Sequence, residues 1–204
     1  MTKVIVDISI SADGFSAGLD QTEERPFGND TGNAFGNKLH DWIFTSPEMA
    51  DQHLARLASN KAFILGRNMF GPVRGEWDRE WRGWWGENPP YHTPVFVLTH
   101  RPGPPIEREG GTVFHFLEAT PAEALEIARD AAAGQDVRIG GGPSVVRDFL
   151  AAGLVDHLHV VQVPILLGRG VRLWDGLEGV EDGYDVEAVS SPSGVTHLTF
   201  TRKA

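Results

Sequence analysis

"VRIGGGPSVVRDFLAAG", residues 137–153, is the stretch whose reading decides the fold. A short β-branched run meets three consecutive glycines, and an amphipathic run follows behind a proline. Glycine loses more backbone entropy on folding than any other residue, so three in a row require a compensating gain. A strand over 137–139, a turn at Gly140, Gly141 and Gly142, and a helix opened by Pro143 and stopped by Gly153 would supply one. A helix N-terminus presents N–H groups without intrahelical partners and carries a partial positive charge. Glycines in front of it let a phosphate approach the backbone, and Ser144 adds a hydroxyl. The spacing is neither GxGxxG nor a P-loop, since no Gly-Lys-Ser/Thr follows. The competing reading is a tight strand-to-helix turn packed against a neighbour.

Outward from this unit, strands and helices alternate. Upstream, "TPAEALEIARDAAAG" carries Thr120 as N-cap, Pro121 in the first turn, Glu123 to complete a capping box, and Gly134 as a stop. "KVIVDISI", "KAFILG", "HTPVFVLTHRP", "GTVFHF", "QDVRI" and "VDHLHVVQVP" read as strands. "TSPEMADQHLARLAS" reads as a helix capped by Ser46, and "RNMF" as a turn or short helix. The tail, "YDVEAVSSPSGVTHLTFTRK", reads as an antiparallel hairpin around "SPSG". Residues 20–37 are polar, glycine-rich and aperiodic, and read as a long loop. The pattern is α/β, with a mainly parallel sheet and an antiparallel edge, in one domain over 1–204.

Composition narrows the function. The net charge of −10 argues against a nucleic-acid partner, while a local positive pocket can still hold a small anion. There is no cysteine, so disulfides, thiolate nucleophiles and cysteine-ligated metals are out. "MTKVIVDISI" starts directly with strand-like sequence and lacks the apolar core of a signal peptide, so a cytoplasmic protein is expected. No apolar run is long enough to span a bilayer.

Two more stretches follow strands. "FILGRNMF" sets Gly66, Arg67 and Asn68 after one strand, and "VFVLTHRP" sets Thr99, His100 and Arg101 after another. In open parallel sheets, ligands bind outside the carboxyl ends of strands, and Arg suits bidentate phosphate contact. "GRNMF", "VLTHRP", "IGGGPSVVRDFL", the opening "ISISADGFSAG" and "VVQVPILLGRG" occur in the order and spacing of one known group. Across nearly the whole chain the sequence resembles the dihydrofolate reductase-like superfamily. It is most similar to the reductase domain of riboflavin-biosynthesis deaminase/reductases.

The resemblance implies a three-layer α/β fold, a homodimer, and an NADPH-dependent reductase acting on a small pterin- or pyrimidine-like heterocycle. It implies that Gly140, Gly141 and Gly142, with Ser144 and Val145, hold the pyrophosphate of NADPH. Gly66, Arg67 and Asn68 would lie along the same cofactor. Thr99, His100 and Arg101 would meet its 2′-phosphate. Ser11, Asp13, Gly14 and Phe15 would border nicotinamide and substrate, with the loop behind them as a lid. Pro164, Leu167 and Gly168 would lie on the substrate side. The chain lacks the Trp-x-x-Pro loop of true dihydrofolate reductases, and the basic residues expected for a ribose-phosphate.

Hydride transfer requires positioning and a proton source rather than a nucleophile. Asp13 and Asp41, the latter in "LHDWIF", are the candidate catalytic carboxylates. Asp13 could instead bond its own turn backbone, and Asp41 could be a surface acid beside Trp42. Trp77, Trp81, Trp84 and Trp85 are either a wall that stacks on a flat ring or a loop packed on the body or a second subunit. His157 and His159 fall on one face of a strand without an evident third ligand, so no metal is expected.

Overall fold

The computed structural model describes residues 2–28, 38–45, 55, 59–72 and 81–204. Its centre is a nine-stranded sheet in the order β10-β11-β8-β1-β7-β3-β4-β6-β5. The strands are β1 (Val4–Ser11), β3 (Ala62–Gly66), β4 (Pro94–Leu98), β5 (Ile106–Glu107), β6 (Val113–Leu117), β7 (Val137–Gly141), β8 (His157–Val163), β10 (Tyr184–Ser190) and β11 (Thr196–Arg202). The six from β8 to β6 run parallel, and β5, β10 and β11 join antiparallel. A separate pair, β2 (Phe15–Ala17) with β9 (Val171–Arg172), ties the loop after β1 to the segment after β8.

Every residue of β3 is buried, as a continuous apolar strand covered on both faces should be. The even-numbered side chains of β1, Val4, Val6 and Ile10, join one core. Helices α2 (Pro121–Ala132) and α3 (Pro143–Ala151) close that core with Ala124, Leu125, Ala128, Val146, Phe149 and Leu150. The opposite face carries two smaller apolar clusters. One is built on Phe63, Leu65, Phe70 and Phe114, the other on Phe15, Leu39, Val161 and Val163.

The α2 capping box is present: Glu123 N–H donates to Thr120 Oγ1, and Thr120 N–H donates to the Glu123 carboxylate. The helix ends one residue before the expected stop, because Ala133 already takes the left-handed conformation (φ 49) ahead of Gly134. Strand β7 runs further than its β-branched residues, through Gly140 and Gly141. The short α1 (Arg67–Phe70) follows β3 directly. The helix expected over 45–59 lies largely outside the described residues; Ala55, which is described, is helical. Trp77 and the loop from residue 29 to 37 also lie outside them.

Candidate functional site

The three strand ends singled out in the sequence belong to β7, β3 and β4, which are adjacent and parallel. Their carboxyl ends therefore open on one edge of the sheet. Gly66 sits against the glycine turn: a Cβ there would lie 2.9 Å from Val145 Cγ2 and 3.6 Å from Gly142 N. The β3–β7 register slips between Ile64 and Leu65, which pair with Ile139 and Gly141, so Gly140 is a bulge. A Cβ on Gly140 would come within 2.3 Å of Leu65 Cδ2. Gly141 has φ +113. Gly142 has an ordinary φ of −72, and a Cβ on it would meet nothing within 4 Å. Packing thus accounts for Gly140 and positive φ for Gly141, the peptide bond between Gly141 and Gly142 is cis, and Gly142 faces open space at the start of α3. Ser144 is exposed on that first turn and Val145 is half-buried.

Next to this turn are two cations. Burial pushes the Arg67 guanidinium down from its ordinary range, and the Arg101 charge adds to the effect. Two like charges at neighbouring strand ends form a local positive spot on an acidic protein, which is the electrostatics an anion requires. Thr99 is turned inward: its Oγ1 accepts from Arg101 N–H at 3.1 Å and so shapes the turn. His100 is fully exposed, 3.8 Å from Glu118. The Asn68 carbonyl accepts from Gln21 Nε2 at 2.8 Å, tying α1 to the loop after β2.

Across the sheet edge, at the end of β1, Ser11 is buried. Its hydroxyl donates to Asp13 at 2.5 Å and accepts from Phe15 N–H at 3.0 Å. Asp13 also accepts from Leu167 N–H (3.1 Å) and Gly168 N–H (2.7 Å). Desolvation pushes this carboxyl up, but the hydrogen bonds from Ser11, Gly168 and Leu167 outweigh it and the net shift is down. Asp13 is held ionised and fully engaged, which is the geometry of an anchor. Gly14 has φ +87, and Phe15 carries the Arg172 guanidinium 4.7 Å above its ring. Pro164 is exposed, and Leu167 is buried.

A cleft of about 510 Å³ opens between this turn and the segment after β9. Ala12, Asp13, Gly14, Gln162, Arg172 and Trp174 are among its lining residues. It includes neither the glycine turn nor Asp41. Asp41 is exposed at the start of a 3-10 turn, Asp41–Thr45. The neighbouring Trp42 is half-buried and donates from Nε1 to Ser9 Oγ at 3.3 Å. Trp81 packs on the body, with Nε1 donating to the Phe70 carbonyl at 2.9 Å, and Trp84 meets it edge-on. Trp85 is about half exposed.

Sequence reading missed one group. Arg138, Asp7 and His159 form a polar cluster on β7, β1 and β8, with Arg138 buried and the other two partly exposed. The signals for it were Arg138 inside the glycine-turn strand and the spacing of His157 and His159. Among the described residues, no group of three or more His, Cys, Asp or Glu could hold a metal ion. No helix among them is long and apolar enough to cross a membrane.

The family that matches, over residues 2–191, is the RibD C-terminal domain. The chain belongs to this family. A comparison with curated protein sequences finds no match. Many solved structures share the fold, among them the following three. A Shewanella sp. PV-4 protein assigned to riboflavin biosynthesis aligns at TM-score 0.61 and 23% identity over 100% of both chains. The Enterococcus faecalis dihydrofolate reductase, complexed with NADP(H), aligns at 0.54 and 14%, over 99% of this chain and 97% of that one. The third is a Thermotoga maritima diaminohydroxyphosphoribosylaminopyrimidine deaminase/5-amino-6-(5-phosphoribosylamino)uracil reductase, at 0.58 and 12%. The RibD C-terminal domain chain described here spans 57% of that longer protein and is itself covered over 99%.

Proposed function

We propose that this RibD C-terminal domain protein is an NADPH-dependent reductase that transfers a hydride to a pterin- or pyrimidine-like heterocycle. The observation that carries the reading is Gly142, where a Cβ would meet nothing within 4 Å beyond its chain neighbours, at the mouth of the α3 N-terminus. Gly140, Gly141 and Gly142 with the Ser144 and Val145 N–H groups hold the pyrophosphate. Gly66, Arg67 and Asn68 flank it. Arg101, on the turn shaped by Thr99 and followed from exposed His100, takes the 2′-phosphate. NADPH supplies the hydride, so the protein has only to orient, exclude water and provide a proton.

Ser11, Gly14, Phe15, Pro164, Leu167 and Gly168 shape the substrate side, and Asp13 pins that shape by joining the β1 turn to Leu167 and Gly168. Its engaged, ionised carboxylate leaves proton delivery to Asp41 or an ordered water. A homodimer completes the reading, with exposed edge strand β10 and its half-exposed Val186 and Val189 as a face for it.

The test is loss of NADPH absorbance with a panel of oxidised pterins and aminopyrimidines. Turnover of one class is expected, with kcat lowered about 100-fold in Asp41→Asn if that carboxyl gives the proton. Tight NADPH binding without turnover across the panel would overturn the enzyme reading and leave a nucleotide-binding module.

A further inference from the structure

Arg147 lies on the second turn of α3, three residues beyond Ser144 and therefore on the same helix face. Its Nη1 donates to the Arg172 carbonyl at 3.0 Å and lies 3.8 Å from Asp175 Oδ2. Arg172 is the last residue of β9, whose pairing with β2 sets it opposite Phe15. The Arg172 guanidinium covers the Phe15 ring, and the next residue, Leu173, donates its N–H to the Gly14 carbonyl at 3.0 Å. Contacts therefore run without a gap from the cradle helix, through the segment 172–175, to the turn after β1. Gly14, Arg172, Trp174 and Asp175 also line the cleft, so the same contacts set the separation of two of its walls.

Holding the segment and placing it are separate tasks. Leu173 is fully buried in the core that α3 helps to close, and that burial supplies most of the attachment. Burial is non-directional, so it holds the segment without fixing the plane of any peptide in it. The Arg147 side chain keeps 26% exposure and Asp175 61%, so their ion pair is screened and adds little. What Arg147 adds is direction. The Arg172 carbonyl and the Leu173 N–H belong to one peptide unit, which is planar and rigid. Arg147 grips its oxygen, and the Gly14 carbonyl is held by its hydrogen. Hydrogen bonds at both ends of one amide also polarise each other. A shift of α3 that carries Arg147 therefore turns this plane and moves Gly14, whose positive φ of +87 already marks a backbone set for that bond.

We infer that Arg147 is a positioning residue that couples the dinucleotide cradle at the start of α3 to the substrate turn at Gly14, through the peptide between Arg172 and Leu173. The coupling rests on the reductase reading, since it needs a dinucleotide on α3 and a substrate at the turn. The mechanical link between helix and turn does not.

Amide hydrogen exchange on the purified protein, with and without saturating NADPH, tests both parts. Wild type is compared with Arg147→Met, Arg147→Lys and Arg129→Met, the last a surface arginine of α2 paired with Glu126 on its own helix. Without NADPH, the Leu173 N–H should exchange about fivefold to tenfold faster in Arg147→Met, the effect expected when one oriented hydrogen bond no longer holds the peptide. Arg147→Lys should restore most of the protection, and Arg129→Met should match wild type. Val146 N–H, which donates to the Gly142 carbonyl, should be unchanged in every form. An unchanged Leu173 in Arg147→Met overturns the link. With NADPH, exchange should slow at Val146 and Leu173 in wild type, but at Val146 alone in Arg147→Met, a difference that a merely structural arginine would not produce. Equal slowing of Leu173 in both forms, or slowing confined to Val146 in wild type, rejects the coupling and leaves the reductase reading standing. Failure of NADPH to bind wild type rejects the reductase reading and the coupling together, and the ligand-free exchange still decides the link.

Discussion

Gly142 and Gly140 look alike in the sequence and differ in what they do. Around Gly142 there is room for a methyl group, and the residue before a proline favours the extended backbone it already has. Gly142→Ala should therefore leave unfolding free energy within about 0.5 kcal/mol of wild type. It should still weaken dinucleotide binding by about tenfold, roughly 1.4 kcal/mol. Gly140→Ala drives a methyl into buried Leu65 and should cost about 1–3 kcal/mol of stability in urea denaturation. Equal destabilisation by both would show that the triplet is a packing turn. Asp13 gives a pH-dependent case. Its folded-state value is depressed, so its contribution is full above the unfolded value of about 3.9 and is lost as pH falls through the folded value. Asp13→Ala should cost about 1 kcal/mol near neutrality, kept low by partial exposure, and the gap to wild type should close in acid. The glycine triplet and Asp13 were legible because their chemistry is local. The Asp7–His159 contact was not, because it joins residues 152 positions apart.

At the scale of elements, long periodic segments were readable and short ones were not. α2 announced itself through its capping box, and β1, β3, β4, β6, β7, β8 and the β10–β11 hairpin through β-branched runs. β2, β5 and β9 have two or three residues each, too few to show a period, and exist because tertiary contacts place them. β7 outran its apolar residues because β3 pairs with it past the bulge, Leu65 with Gly141. The cradle depends on α3 being held, and Phe149, fully buried beneath it, is the main anchor. Phe149→Ala should cost about 3–5 kcal/mol by denaturant unfolding, and Phe149→Leu clearly less. Equal, small losses would mean that α3 is secured elsewhere.

At the scale of the whole molecule, topology converts distant motifs into one site. Residues 66–68, 99–101 and 140–145 meet because β3, β4 and β7 are sheet neighbours with parallel direction, an order the sequence alone does not state. Arg67 and Arg101 place two cations at neighbouring strand ends of a chain whose net charge is −10. Arg101→Ala should therefore remove most of any preference for NADPH over NADH, and added salt should weaken NADPH binding more than NADH binding. The most direct test of the account is titration of the purified protein with NADPH and with NADH, followed by tryptophan fluorescence quenching. The account predicts saturable binding of both, tighter for NADPH, with affinity reduced in a normally folded Gly142→Ala. No binding of either dinucleotide, or identical binding to Gly142→Ala and wild type, would contradict the cradle and the function built on it.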